Sequence, residues 1–151
     1  MQSNTSAEQT INMTTSKIYP KPSTTSQMKS NTEQAKEFRN SFNVKNSRNL
    51  SSRTMQRNLI VEEFKEFIEA EGMLFRESLV LHEEALKELS DLVYVCYQYA
   101  ENMGWNLDEA LHRVHESDMS KLDVGGKPIY REDGKVLKST NYKPPTLSDL
   151  V

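Results

Sequence analysis

The chain has a single cysteine, Cys96, so no disulfide can form within it, and a reducing cytoplasm is the compartment that fits. Long apolar runs are missing too. The longest, Leu92 to Tyr97, falls far short of the roughly 20 residues a membrane-spanning helix needs. The N-terminal stretch lacks the apolar centre of a secretory signal and carries no arginine before Arg39, so neither secretion nor organelle import is expected. Positive charge is not in excess either. With 19 basic and 22 acidic residues the net charge is −3, which leaves no electrostatic case for nucleic acid as a main partner. Cation binding by acidic groups stays open.

Of the 151 residues, 36% are hydrophobic and 27% charged, which suits one domain with a modest core and a polar appendage. That appendage is residues 1–30, a Ser-, Thr-, Asn- and Gln-rich segment with neither helical nor strand periodicity. It cannot bury enough apolar surface to offset chain entropy, and disorder is expected there. Beyond it, Asn31 with Gln34 has the spacing of a capping box, and Ala35, Phe38 and Phe42 share one face of a first helix. Ser51 or Ser52 can cap a second helix that runs to about Ala70, with Gly72 as its stop. A third helix spans about Leu81 to Met103 and ends at Gly104; a loop or short turn precedes it. Asn106 and Glu109 form the capping pair of a fourth, whose apolar stripe is Leu107, Ala110, Leu111 and Val114. After Asp123 the character changes. Asp133-Gly134 between two short apolar arms signals a hairpin, and "NYKPPTLSDLV" reads as an extended tail. The expectation is an all-α bundle of about four helices, with a helical domain over 31–122 and a C-terminal hairpin and arm over 123–151.

The acids within these helices do not keep to the polar side. At roughly 100° per residue, Leu59, Ile60, Phe67 and Ala70 all lie within about 60° of Glu63, and Glu66 lies at the edge of that stripe. Around Glu88 the third helix repeats the arrangement, with Leu81, Leu92, Val95 and Tyr99 alongside and Asp91 about 60° away. Glu84 falls in the same sector. An unpaired buried carboxylate is costly, and several converging ones repel. A hard cation such as Mg²⁺ or Mn²⁺ removes both penalties, and facing helices can build such a site inside a bundle. A di-iron centre of the ferritin kind would want Glu-x-x-His pairs. Here Glu63 is followed at that spacing by Glu66, and Glu88 by Asp91.

The segments "EEFKE" (Glu62 to Glu66) and "ELSD" (Glu88 to Asp91) resemble the ExxE…ExxD signature of the all-α, MazG-like nucleoside triphosphate pyrophosphohydrolases. The similarity continues through "LVYVCYQYAENMGWNLDEALHRVHESDMSKLD" and "GKPIYREDGKVLKSTNYKPP", as in small bacterial and phage-encoded members, some related to phosphoribosyl-ATP pyrophosphohydrolase. The resemblance implies hydrolysis of an NTP or dNTP to the monophosphate and pyrophosphate. It implies Mg²⁺, with Mn²⁺ as a substitute, held by Glu63, Glu66, Glu88 and Asp91, and Glu63 or Glu66 acting on the attacking water. It implies Lys121 as a phosphate contact, Lys135, Lys138 and Tyr142 as parts of a lid, and a homodimer or homotetramer in the cytoplasm. One departure stands out: Asp118 occupies a position where the family has asparagine. A carboxylate can only accept hydrogen bonds, so Asp118 would add a metal contact or read a donor-rich base edge such as guanine, which makes dGTP or GTP a candidate substrate. The competing reading is a helical nucleotide-binding or adaptor protein that kept the fold and lost catalysis. Cys96 reads as a core residue, His112 and His115 do not make a zinc motif, and Trp105 reads as an anchor more than a base platform.

Overall fold

A computed structural model describes residues 28–151. The expected disorder of residues 1–30 therefore falls, apart from its last three positions, outside the described residues. The architecture is all-α: α1 (Asn31–Ser41), α2 (Leu50–Glu71), α3 (Leu79–Met103) and α4 (Leu107–Met119), with one short antiparallel hairpin, β1 (Ile129–Tyr130) and β2 (Val136–Leu137). Helices α2 and α3 pack along most of their length, α1 lies against α3, and α4 touches α1 and a 3-10 turn at Ser148–Leu150.

Two helix starts differ from expectation by a residue or two. Ser30, not Asn31, caps α1; it accepts from the Glu33 amide at 3.2 Å while the Glu33 carboxylate takes the Ser30 amide at 2.7 Å. Asn49, not Ser51 or Ser52, caps α2 through the Ser52 amide at 2.8 Å. Both regions offer several capping residues in succession, and the local periodicity cannot choose among them. The α4 box forms by half: Asn106 accepts from the Glu109 amide at 3.1 Å, but the Glu109 carboxylate goes to Arg113 and the Asn106 amide to the Leu150 carbonyl. Gly104 closes α3 in the left-handed conformation (φ 70°), with the Trp105 amide returning to the Ala100 carbonyl at 2.9 Å, as a Schellman end requires. The expected hairpin is present in the register Ile129 opposite Leu137, and Gly134 takes the positive φ of its turn.

The apolar core is thin. Among the described residues only Ala35, Ala85, Tyr97, Ala100 and Met103 are buried hydrophobics, whereas Phe64 and Phe75 are 52% and 74% exposed. A polar knot supplies what the core lacks. Asn102, 1% exposed, accepts at Oδ1 from Arg39 Nη2 (2.9 Å), the Ser47 amide (3.1 Å) and Ser52 Oγ (3.0 Å), and donates from Nδ2 to the Ser47 carbonyl (2.7 Å). Arg39, itself buried, places its remaining donors on Asn46 Oδ1, the Lys45 carbonyl, and the carbonyl and Oε1 of Gln98. α1, the connector and the start of α2 are thereby tied to one turn of α3.

The C-terminal arm is stitched back along α4. Ser117 Oγ donates to the Lys143 carbonyl at 2.7 Å, Arg113 makes a two-pronged pair with Asp149 at 2.7 and 2.9 Å, and Ser139 Oγ donates to the Leu122 carbonyl.

Replacing Asn102 by Ala leaves one guanidinium N–H of Arg39 and two further donors without their acceptor, which costs about 1–3 kcal/mol for each unsatisfied buried group. Urea denaturation of Asn102→Ala is expected to show a loss of at least about 2 kcal/mol, against under 0.5 kcal/mol for an exposed control such as Lys36→Ala.

Candidate metal centre

Glu63 stands near the middle of α2, and Glu88 and Asp91 one turn apart on α3. The packing of the two helices brings one oxygen of each within 4.8 Å of the others. Glu88 is the buried member, at 5% exposure; Glu63 and Asp91 are half-buried. Glu66 is exposed at the rim, where its carboxyl acts on both Glu63 and Glu88, and Glu84 acts on Glu88 as well. All four carboxylates expected at the metal site are therefore neighbours, three of them as a tight triad and Glu66 as an outer member.

The electrostatics follow from the crowding. Desolvation, and then the negative charges of Glu66, Asp91, Glu88 and Glu62, raise the Glu63 carboxyl above its ordinary value. Glu88 moves the other way, chiefly through its hydrogen bond to Lys87 Nζ at 2.7 Å. Lys87 also reaches Asp91 at 3.1 Å and is itself held protonated by both partners. Lys87 is not among the residues expected at the site, although its i, i+4 spacing to Asp91 is a visible signal in the sequence. One lysine does not satisfy the triad. Glu88 Oε2 is buried without a hydrogen-bond partner, a condition that costs about 1–3 kcal/mol or more for a charged group. An all-oxygen donor set with an orphaned carboxylate oxygen fits a hard divalent cation.

The residues expected to meet substrate form a second cluster, at the end of α4 and in the arm. Lys121 Nζ lies 2.6 Å from Asp118, and Lys138 Nζ sits 4.1 Å from the centre of the Tyr142 ring. The Tyr142 hydroxyl is held below its ordinary value, first by Ser117 and then by the Lys138 and Lys121 ammoniums. Asp118 thus commits its carboxylate to Lys121. Lys135 is an exposed hairpin residue whose amide donates to Asp133 Oδ1 at 3.2 Å. Among the described residues no hydrogen bond or ion pair joins this cluster to the triad.

The remaining candidates take plain structural roles. Cys96 is half-buried in α3 with its thiol raised by desolvation, His112 pairs with Glu116 at 3.5 Å, and Trp105 packs against Tyr99 at 5.7 Å. No described helix is long and apolar enough to cross a membrane.

No individual curated protein matches the chain. A family model of phosphoribosyl-ATP pyrophosphohydrolase does, over residues 27–118, which takes in all four carboxylates and stops just short of Lys121. Since that match covers more than half of the chain and carries the acidic pairs on the helices that bring them together, the protein belongs to the phosphoribosyl-ATP pyrophosphohydrolase family within the MazG-like superfamily, whose chemistry is hydrolysis of nucleotide phosphoanhydride bonds.

Proposed function

We propose that the protein is a Mg²⁺-dependent nucleoside triphosphate pyrophosphohydrolase, converting an NTP or dNTP to the monophosphate and pyrophosphate. The observation that carries this reading is the Glu63–Glu88–Asp91 triad with its unpartnered Glu88 Oε2, in a chain of this family. Mg²⁺, or Mn²⁺ in its place, supplies neutralisation of polyphosphate charge and an acidified water when bound. The chain's own part is positioning. Glu88, fixed by burial, and Asp91, one turn on, present oxygens from α3; Glu63 presents one from α2, and Glu66 closes the rim. Glu63 or Glu66 takes the proton of the attacking water, and the raised proton affinity of Glu63 suits it to that task. Lys121, Lys138 and Tyr142 provide cationic and hydroxyl contacts for phosphate. The pairing of Asp118 with Lys121 removes the ground for a guanine preference read through Asp118.

The assembly is a homodimer or a dimer of such dimers in the cytoplasm. Phe64 and Ile68 on α2 and Leu86, Leu89 and Val93 on α3 form helical-spaced apolar stripes, 41% to 65% exposed. A second copy of the chain covers them with the same surface.

The reaction is tested with all NTPs and dNTPs plus Mg²⁺, resolving pyrophosphate from orthophosphate. Pyrophosphate is the expected product; orthophosphate alone refutes the assignment. Glu63→Gln and Glu88→Gln should each lose more than about 100-fold in kcat/KM, beyond the 10- to 100-fold that partners of metal ligands typically carry.

Metal binding has its own pH signature. Glu63 is raised in the fold, so the folded state holds its proton more tightly than the unfolded chain. Its contribution to apoprotein stability is therefore greatest below the ordinary carboxyl value and declines as pH rises past it. Mg²⁺ competes with that proton. The Mg²⁺-induced rise in Tm is expected to be large at pH 8 and to shrink progressively toward pH 5. Glu63→Gln should raise the apoprotein Tm at pH 8 while weakening the Mg²⁺ response; an unchanged response would remove Glu63 from the centre.

Light scattering after size exclusion is expected to give a dimer or tetramer, and Phe64→Glu with Leu89→Glu to shift it toward monomer.

A further inference from the structure

Two buried side-chain oxygens lack a hydrogen-bond partner among the described residues: Glu88 Oε2 and Gln56 Oε1. The metal centre accounts for the first. The second sits on α2, 4% exposed, in the wall of a cavity of about 390 Å³ between α1, α2 and α3. Glu63 and Asp91, two members of the triad, line the same cavity, together with Leu59, Phe38 and Tyr94. The cavity thus joins the residue with the unpartnered Gln56 oxygen to two carboxylates of the triad, whose third member, Glu88, holds the other orphaned oxygen outside the cavity's lining. Resting on the nucleotide reading above, we propose that this cavity is the nucleobase subsite, with the Gln56 carboxamide hydrogen-bonding the edge of the base.

Gln56 and Glu63 are seven residues apart on one face of α2, roughly 10 Å along its axis at 1.5 Å per residue. That is about the reach of a nucleoside from base edge to phosphate. Phe38 and Tyr94 stand edge to face at 5.9 Å, an apolar aromatic wall suited to a planar ring. A carboxamide offers an acceptor beside donors, which complements the alternating donor and acceptor groups of a base edge. Charge sets the direction in which the nucleotide enters. Arg39 also lines the cavity, but its five N–H groups are all engaged by Asn46, Lys45, Gln98 and Asn102. It offers nothing to a phosphate. The neutral end of the ligand therefore goes to Gln56 and the polyphosphate to the carboxylate end with its cation. A ligand bound this way would satisfy the buried amide that the fold leaves unpaired.

The test uses the full-length protein labelled with ¹⁵N, with the Gln56 side-chain amide assigned by its loss in Gln56→Met. Nucleoside monophosphates are titrated with Mg²⁺, and inorganic pyrophosphate serves as the base-free control. At least one monophosphate is expected to shift the Gln56 amide, and pyrophosphate to leave it in place. In kinetics, Gln56→Met should lower kcat/KM for the preferred triphosphate about 10- to 100-fold, mainly through KM, and flatten the preference among bases. The Mg²⁺ response of Tm should persist in the variant. A wild-type protein that hydrolyses nucleotides while no nucleotide moves the Gln56 amide overturns the subsite and leaves the activity standing. So does a folded Gln56→Met with wild-type base preference. If no nucleotide is hydrolysed, the function assigned above fails, and the monophosphate titration alone decides whether a base sits on Gln56.

Discussion

One buried carboxamide, that of Asn102, holds the described fold in register. Its oxygen accepts from α1, the connector and α2 at once, and its nitrogen returns to the connector. With five buried hydrophobics among the described residues, apolar packing alone would let α2 slide on α3. A shift of one residue would rotate Glu63 by about 100° away from Glu88 and Asp91. The hydrogen bonds at Asn102 and Arg39 oppose that slip, because each misalignment would leave a buried donor unpaired. The geometry of the acidic centre thus depends on a knot that contains none of its residues.

The centre is held against its own electrostatics. Three carboxylate oxygens within 4.8 Å repel, and among the described residues only Lys87 pairs with them, from the α3 side. Glu63, on the opposite helix, takes the consequence as a raised proton affinity. Local conflict of this kind is what a binding site looks like before its ligand arrives. The fold concentrates its unmet demand at two points, one a carboxylate oxygen and one an amide oxygen, and the cavity lined by Gln56 is also lined by Glu63 and Asp91 of the triad. Under the proposed function, a magnesium-bound nucleotide would carry groups that answer both.

Stability and function divide along the chain. α2 and α3 carry the acidic centre, whereas α4 and the C-terminal arm form a second body of contacts built on Arg113–Asp149 and on serine hydroxyls reaching backbone carbonyls. The arm keeps Lys138 and Tyr142 beside Lys121, so cationic and hydroxyl groups drawn from distant positions act as one patch. The apolar stripes on α2 and α3 stay exposed, since the described bundle buries so few hydrophobic side chains inside.

Helix count, the hairpin and the inward aim of Glu63, Glu88 and Asp91 were legible from the sequence, because each depends on spacing within one helix or one turn. The expectation of a metal at the carboxylate pairs has the same local basis: i, i+3 geometry lies within one helix, and the chemistry of converging oxygens is general. The caps were legible only to within two residues, where Ser30 and Asn49 outcompeted neighbours of equal propensity. What the tertiary structure decided was every relation between residues far apart. Arg39 meets Asn102 across 63 positions, Glu66 stands outside the triad, Asp118 pairs with Lys121, and Gln56 is left with an unpaired oxygen. Periodicity says which way a side chain points from its own helix. Which groups meet there, and which stay unsatisfied, is set by how the helices dock.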